Sequence, residues 1–399
     1  MSRILGFIFL FIIAGTIVAG LHYYFWLRLV RDTQIFGGVR KIATAGLAGL
    51  ALLVVATMLM GRLVPRIGRV LAWPGFIWMG ALFVLFFFLV SMDIVRLFAT
   101  LAGRLLGAGS VFDASRRVFT ARMIAGAALA SVSGVTGAAV RATRGPVAVK
   151  RREIVLDRLP PSLDGTRIVQ LCDLHVGGLL GREFVEQVVR TTNGLQADVI
   201  VIVGDLVDGT IERLRPALAS LADLRSRHGV YFVTGNHEYY ARSGARAWMD
   251  EIDRMGIRVL RNERVAIGKG GEGFDLAGVT DHGASRFPKD GPSEDIAQAL
   301  AGRDPSRAVV LLAHQPIAIY QAARLGVDLQ LSGHTHGGQI WPWGALVRLQ
   351  QPYIRGLHRV GDTQLYVSCG TGYWGPPMRL GAPAEITEIV LRSATKGAT

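Results

Sequence analysis

The sequence predicts an α/β domain preceded by an all-α, membrane-spanning region of about four helices, and three observations carry that expectation. Half of the 399 residues are hydrophobic and the mean hydropathy is +0.35, too apolar for an ordinary soluble chain of this length. Charge is unevenly divided: residues 1–152 hold 18 Lys and Arg against 3 Asp and Glu, whereas 153–399 hold 26 against 27. A net +15 on a hydrophobic segment fits loop arginines beside membrane spans, so the bilayer is an expected partner and nucleic acid is not. From Glu153 onward, short apolar runs alternate with amphipathic helical stretches, the pattern of an α/β domain. The division expected is therefore a membrane region over 1–152 and a second domain over 153–399.

The apolar stretches 4–27, 42–60 and 71–95 each reach the ~20 residues that cross a bilayer core. A fourth, 123–140, is weaker, being built from Ala, Gly, Ser and Val. Aromatic residues at 22–26 close the first stretch, where amphipathic rings favour an interface. The connections 28–41 and 96–122 carry nine Lys and Arg, against four for Arg3 plus 62–69. The positive-inside rule then puts the first two connections in the cytoplasm and the second domain outside it. Ser115-Arg116-Arg117, ahead of the fourth stretch, resembles a twin-arginine export signal and points the same way. Arg141, Arg144, Lys150, Arg151 and Arg152 pull the other way, as a basic flank prefers the cytoplasm, so the cytoplasmic face stays open as the alternative.

Strands are expected at 167–172, 199–203, 230–233, 308–313, 329–332, 365–368 and 386–391, and helices at 182–192, 212–227, 245–255 and 316–324. Glycines at 268–273 mark a hairpin tip. The two cysteines, Cys172 and Cys369, form no disulfide framework, and Cys172 reads as a small buried strand residue.

Chemistry concentrates in five short segments that hold five of the nine histidines: Asp173-Leu174-His175, Gly204-Asp205-Leu206-Val207-Asp208, Gly235-Asn236-His237-Glu238, His314, and Gly333-His334-Thr335-His336. Each follows a β-type apolar run, so the segments gather at the carboxyl ends of neighbouring strands, where open α/β sheets place their sites. The pairs Asp173/His175 and His334/His336 are spaced i, i+2, which in extended backbone turns both side chains to one side. Glycines 204, 235 and 333 allow close backbone approach. Two carboxylates, one amide oxygen and four imidazoles suit Mn, Fe or Zn better than Mg or Ca, which favour oxygen shells. Two such ions about 3.5–4 Å apart form a clamp for displacement at phosphorus. A buried polar network without metal would leave several unpaired groups.

These segments resemble the five motifs of the calcineurin-like metallophosphoesterase superfamily, over about 153–392. The resemblance implies a four-layer α/β/β/α sandwich and a dinuclear site that hydrolyses a phosphodiester, pyrophosphate or phosphomonoester. It implies Asp173, His175 and His336 on one ion, Asn236, His314 and His334 on the other, Asp205 bridging, a hydroxide between the ions as nucleophile, and His237 protonating the leaving oxygen. Asp208, Glu238 and Arg379 become candidates for residues that support the ligands or contact the substrate. Gly337-Gly338-Gln339 and the stretch 372–379 resemble the bacterial membrane-associated branch described as UDP-2,3-diacylglucosamine hydrolases or lipid-phosphate esterases, which implies a lipid or lipid-linked substrate. A soluble phosphomonoester or nucleotide substrate is the alternative within the class. A non-catalytic metal-binding membrane sensor is the alternative outside it, although such a module would have no use for His237. Trp341-Pro342-Trp343 and the loop 373–377 are expected to pack and form turns; the alternative is an apolar rim, with Arg355 or Arg379 nearby for a phosphate. His282 is expected to be a loop histidine, and His22, His228 and His358 interface or surface residues.

Overall fold

The structure, a computed structural model, describes residues 2–106, 114–269 and 272–394. The chain divides into two compact units, Met1–Arg141 with Gly375–Met378, and Ala142–Trp374 with Arg379–Thr399.

The first unit contains four long apolar helices, α1 (Ser2–Trp26), α2 (Gly37–Leu63), α3 (Pro65–Leu105) and α4 (Ala114–Arg141), each long and apolar enough to cross a membrane. Helices suit that setting because they satisfy every backbone group internally. They overrun the expected spans. The connection expected at 28–41 shrinks because Leu27–Arg31 continues α1 as a π-helix, and Arg28 is ordered by Asp93 at 3.0 Å and Asp32 at 2.8 Å. Ser115, Arg116 and Arg117 lie in the first turn of α4 rather than in a loop. His22 is not an interface residue: it is buried, and its Nε2 accepts the Trp78 indole N–H at 3.0 Å.

In chain order the second unit contains β1 (Ala148–Leu156), β2 (Arg167–Leu171), α5 (Arg182–Gly194), β3 (Val199–Val203), α6 (Ile211–Leu218), β4 (Val230–Val233), α7 (Asn236–Tyr240), α8 (Gly244–Arg254) and β5 (Arg258–Val259). It continues with β6 (Glu263–Lys269), β7 (Glu272–Gly278), α9 (Ile296–Ala299), β8 (Val309–Leu312), α10 (Ile319–Arg324), β9 (Leu329–Ser332), α11 (Gly344–Val347), β10 (Gly356–Val360), β11 (Thr363–Val367) and β12 (Glu385–Ser393). Two six-stranded sheets form, ordered β1-β12-β2-β3-β4-β5 and β10-β11-β9-β8-β7-β6. Between them lies a core drawn from both, including Ile168, Val201 and Ile389 from one sheet and Phe274, Val310 and Leu331 from the other. The outer face of the first sheet is covered by Val185, Leu214, Trp248 and Ile252 from α5, α6 and α8, and that of the second by Ile296 and Ala322 from α9 and α10. Four layers result, and β3, buried along its whole length, is the continuous Val/Ile run that a strand covered on both faces requires.

Several expected boundaries shift. The unit begins before residue 153, because 148–152 form the first part of β1 instead of a basic membrane flank. Lys150 meets Glu385 at 3.0 Å and Arg151 meets Glu388 at 3.9 Å, both on the parallel neighbour β12. Consecutive cations on an edge strand are readable only once the acidic partner strand, over 200 residues away, is known. The helix expected at 212–227 ends at Leu218 and tightens into a 3₁₀ turn over Ala219–Asp223. The hairpin expected around 268–273 is β6–β7, and its tip at 270–271 lies outside the described residues.

Candidate metal centre

Strands β2, β3 and β4 run parallel in the first sheet and β8 and β9 run parallel in the second. Asp173 and His175 follow β2, Asp205 and Asp208 follow β3, and Asn236, His237 and Glu238 open α7 just after β4. His314 follows β8, and His334 and His336 follow β9. The backbone there is not extended. Asp173, His175, Asp205, His334 and His336 have φ of 52°, 48°, 51°, 69° and 50°, the left-handed region that side chains with a Cβ rarely enter. Each such residue costs about 1–3 kcal/mol and persists only where its surroundings over-determine it. Here the loops hold one another: the Asp173 N–H donates to the Gly204 carbonyl at 3.1 Å and the His175 N–H to the Asp205 carbonyl at 3.0 Å. Gly333 is required because a Cβ there would come within 2.5 Å of the Asp173 carboxylate.

Among the described residues three groups of possible ligand atoms result, Asp173 with His175 and His336, Asp205 with His314 and His334, and His175 with Asp208 and His237, the atoms of each group within 4.8 Å of one another; the first two contain the expected ligands. His175 Nε2 and His336 Nε2 lie 3.0 Å apart. That is about the separation of two nitrogens at right angles around one ion with bonds of ~2.1 Å. His314 Nε2 lies 3.2 Å from Asp205 Oδ2 without hydrogen-bond geometry, and both that nitrogen and Asn236 Oδ1 are buried with no hydrogen-bond partner. Buried acceptors aimed inward without partners are what a cation would satisfy, so the residues fit divalent metal.

Charge is arranged to match. Burial holds His334 down to about 3, with His314 adding to the effect, and burial with His175 and Arg379 holds His336 well below its usual value. Both rings are therefore neutral, the form that binds metal. Burial works against the Asp205 carboxylate, but His314 and His237 keep it well below the usual range. Burial also opposes charge on His237, yet Asp205 and Asp208 raise it to about 9. Asp208 is shared, its Oδ1 2.5 Å from His237 Nδ1 and its Oδ2 3.2 Å from His175 Nδ1.

The calcineurin-like phosphoesterase family profile matches residues 166–338, which span all five ligand-bearing segments, from Asp173 through His336. A "Transmembrane protein with metallophosphoesterase domain" of Bos taurus is 42% identical over 310 residues, covering 75% of this chain and 68% of its own length. The protein of the same description in Danio rerio is 39% identical, covering 79% and 72%. An "Uncharacterized metallophosphoesterase" of Helicobacter pylori is 42% identical over 245 residues, 61% of this chain and 63% of that one. The chain belongs to the calcineurin-like phosphoesterases. The first two matches cover more of the chain than residues 153–399 alone supply, so the likeness reaches into the apolar helices of what is a membrane protein.

In this metallophosphoesterase the supporting residues take definite places. Glu238 is fully buried and accepts the backbone N–H groups of Asp205, Leu206, Val207 and Gly235. Arg379, weighed above as a substrate contact, is 2% exposed and donates to the carbonyls of His336, Gly370, Gly372 and Ala382 and to His336 Nδ1. Of the two roles expected for it, these buried hydrogen bonds fit support of the His336 loop. His282 is the loop histidine expected, half exposed and paired with Glu294 at 2.6 Å.

Two residues, Tyr240 and Asp281, escaped the sequence reading, and Trp374 was expected to pack in its loop. The rings of Trp374 and Tyr240 stand edge-on to His237, with centroids 5.7 and 5.5 Å away. Asp281, buried, accepts from Nε2 of Gln315, the neighbour of His314, with its two carboxylate oxygens 3.1 and 3.0 Å away. Tyr240 lies three residues past His237 on one helix, a spacing that would have flagged it; Trp374 and Asp281 carry no such local signal. Trp341, Trp343 and Trp374 are exposed, not packed as expected.

Proposed function

We propose that this chain is a dinuclear metal-dependent phosphoesterase acting on a phosphodiester, pyrophosphate or phosphomonoester of a lipid or lipid-linked substrate. The observation that carries the reading is the position of Asp205 Oδ2, 3.2 Å from His314 Nε2 and 3.8 Å from His175 Nε2, one histidine from each ligand group. A carboxylate there has the oxygens to serve both sides, which an imidazole lacks. Asp173, His175 and His336 hold one ion, Asn236, His314 and His334 the other, and Asp205 both. Their mixed nitrogen and oxygen donors favour Mn, Fe or Zn. Such ions supply positive charge for the phosphoryl oxygens and acidify the attacking water.

The chain's own side chains position and move the protons. Asp208 takes the Nδ1 hydrogens of His175 and His237, which leaves the His175 Nε2 lone pair for coordination and the His237 Nε2 hydrogen for the leaving oxygen. Asp205 and Asp208 keep His237 charged, as an acid at neutral pH must be. The edges of Trp374 and Tyr240 flank that proton.

Four apolar helices on the same chain support the lipid substrate and the placement near the UDP-2,3-diacylglucosamine hydrolase-like branch. The basic connections support a catalytic unit outside the cytoplasm, and the opposing flank is weakened because Lys150 and Arg151 have carboxylate partners on β12. An alkaline-phosphatase fusion after residue 152 that is silent, with a fluorescent fusion that lights, would reverse that orientation.

The test of the enzyme is metal analysis of the purified full-length chain with a set of phosphoester substrates. Close to two ions per chain and hydrolysis of at least one ester class are expected; less than one ion after reconstitution, with no ester hydrolysed, overturns the reading.

A further inference from the structure

Between Asp328 and Asp362 the chain carries no acidic residue, in a unit whose charges otherwise nearly balance. Within that stretch, a short segment around α11 exposes its large apolar side chains instead of burying them: Trp341 is 72% exposed, Trp343 44%, Leu346 42% and Leu349 80%. Water-facing helices of globular units do not concentrate such residues, and an exposed apolar patch beside a site marks an interaction surface. Arg348 within it, and Arg355 and Arg359 further along the same acid-free stretch, are exposed, and no described carboxylate pairs with any of them. Tryptophan and leucine interleaved with arginine, without acid, is the composition that settles at the boundary between anionic headgroups and acyl chains.

The segment is joined to the metal centre by backbone. A Cβ on Gly338 would meet the Gly344 Cα at 2.6 Å, so the start of α11 rests directly on the turn that carries His336. The Gln339 side chain exchanges hydrogen bonds of 2.9 and 3.0 Å with the backbone of Trp374, itself 53% exposed and edge-on to His237.

We infer that Trp341–Leu349 and Trp374 form a surface that docks on an anionic phospholipid bilayer, immersing the apolar side chains at headgroup depth and presenting lipid headgroups to the metal centre. The docking stands on exposure and charge; only the step from docked lipid to substrate rests on the phosphoesterase reading.

The test uses the full-length chain in phosphatidylcholine vesicles with and without phosphatidylglycerol, spin-labelled at Leu349→Cys. Cys172 and Cys369 are buried and do not compete for label. Arg190→Cys on α5 is the exposed control. With phosphatidylglycerol, the oxygen-to-nickel-chelate accessibility ratio at 349 should rise several-fold over that at 190. Arg348→Glu with Arg359→Glu should lower it. Equal nickel accessibility at 349 and 190 overturns the inference. So does shielding from both reagents with spin–spin broadening, which would mean that a second copy covers this face. No change on charge reversal overturns the anionic preference. Metal content of the same samples confirms folding and, because the depth reading needs no hydrolysis, separates failure of docking from failure of the enzyme.

Discussion

The two halves of the metal centre are held by buried side chains of opposite hydrogen-bonding kind, an acceptor carboxyl on one side and a donor guanidinium on the other. On the first sheet, Glu238 gathers four N–H groups, from Asp205, Leu206, Val207 and Gly235, at 3.1, 2.7, 3.3 and 2.7 Å. On the second, Arg379 gathers carbonyls, among them Ala382 at 2.8 Å and His336 at 3.3 Å, and also donates to His336 Nδ1 at 3.3 Å. The difference follows from the loops. Left-handed backbone at a strand end takes peptide groups out of the ladder and leaves them inside the protein, where each must find a partner. The loop of Asp205 turns its N–H groups inward and is closed by the Glu238 carboxyl; the carbonyls of His336, Gly370, Gly372 and Ala382 converge on the Arg379 guanidinium. Oxygen ligands come from the side held by the carboxyl, and imidazoles dominate the side held by the guanidinium.

The largest effect is expected at the residue that joins the halves. Asp205→Asn removes the shared charge while keeping the shape, and should cost more activity than the ~10–100-fold typical of a residue that only supports ligands. Both ions should weaken together; retention of two tightly held ions, read by metal analysis after dialysis, would show that Asp205 does not join them.

Glu238→Gln comes next. The amide presents hydrogens to N–H groups that need an acceptor, leaving at least one buried donor unpaired at about 1–3 kcal/mol. Thermal unfolding of the full-length chain should shift down, with loss of ions from both groups, because Asp205 moves. An unchanged midpoint would mean that the Glu238 acceptors are dispensable and the comparison fails on that side.

Arg379→Lys tests the other side. Lysine keeps the charge but cannot reach so many acceptors from one planar fork. The ion coordinated through His336 should lose about 10–100-fold in affinity while the other is retained. Titration with metal should then show two classes of site; equal weakening of both would erase the asymmetry drawn here.

These two holders show what sequence can and cannot carry. Apolar runs of Val and Ile place β2, β3, β4, β8 and β9, and the polar segments that end them show which side chains meet. Glu238 is legible as well, two residues from Asn236 in the same segment. Arg379 is not, since it lies 43 residues beyond His336 and its partners are main-chain carbonyls that no residue pattern announces. The left-handed dihedrals are hidden for a related reason: Asp173 and His175 two apart look like extended backbone, and only the hydrogen bonds that their N–H groups donate to the carbonyls of residues 204 and 205 hold the turn. Strand β1 is masked by Lys150, Arg151 and Arg152, whose charges read as a membrane flank until Glu385 and Glu388 stand beside them. The exposure of Trp341 and Trp343 contradicts the general rule that aromatic residues pack inside.

The smallest expected effect lies where one carboxylate serves both a ligand and an acid. Asp208→Asn offers a single acceptor in place of two, so His175 and His237 cannot both keep their Nδ1 partner. Losing a negative neighbour lowers the pKa of His237, which Asp205 and Asp208 otherwise raise to about 9. An acid works only while protonated, so the fall in rate at alkaline pH should move to lower pH in the variant. The loss should also depend on the leaving group. A nitrophenolate departs without a proton and its ester should slow less than about 10-fold, whereas an alkyl ester, which needs the proton, should lose more of the ~10²–10⁴-fold that general acid catalysis contributes. If the two esters slow equally and the alkaline limb stays in place, Asp208 acts through His175 alone, and the proton donor must be sought elsewhere than His237.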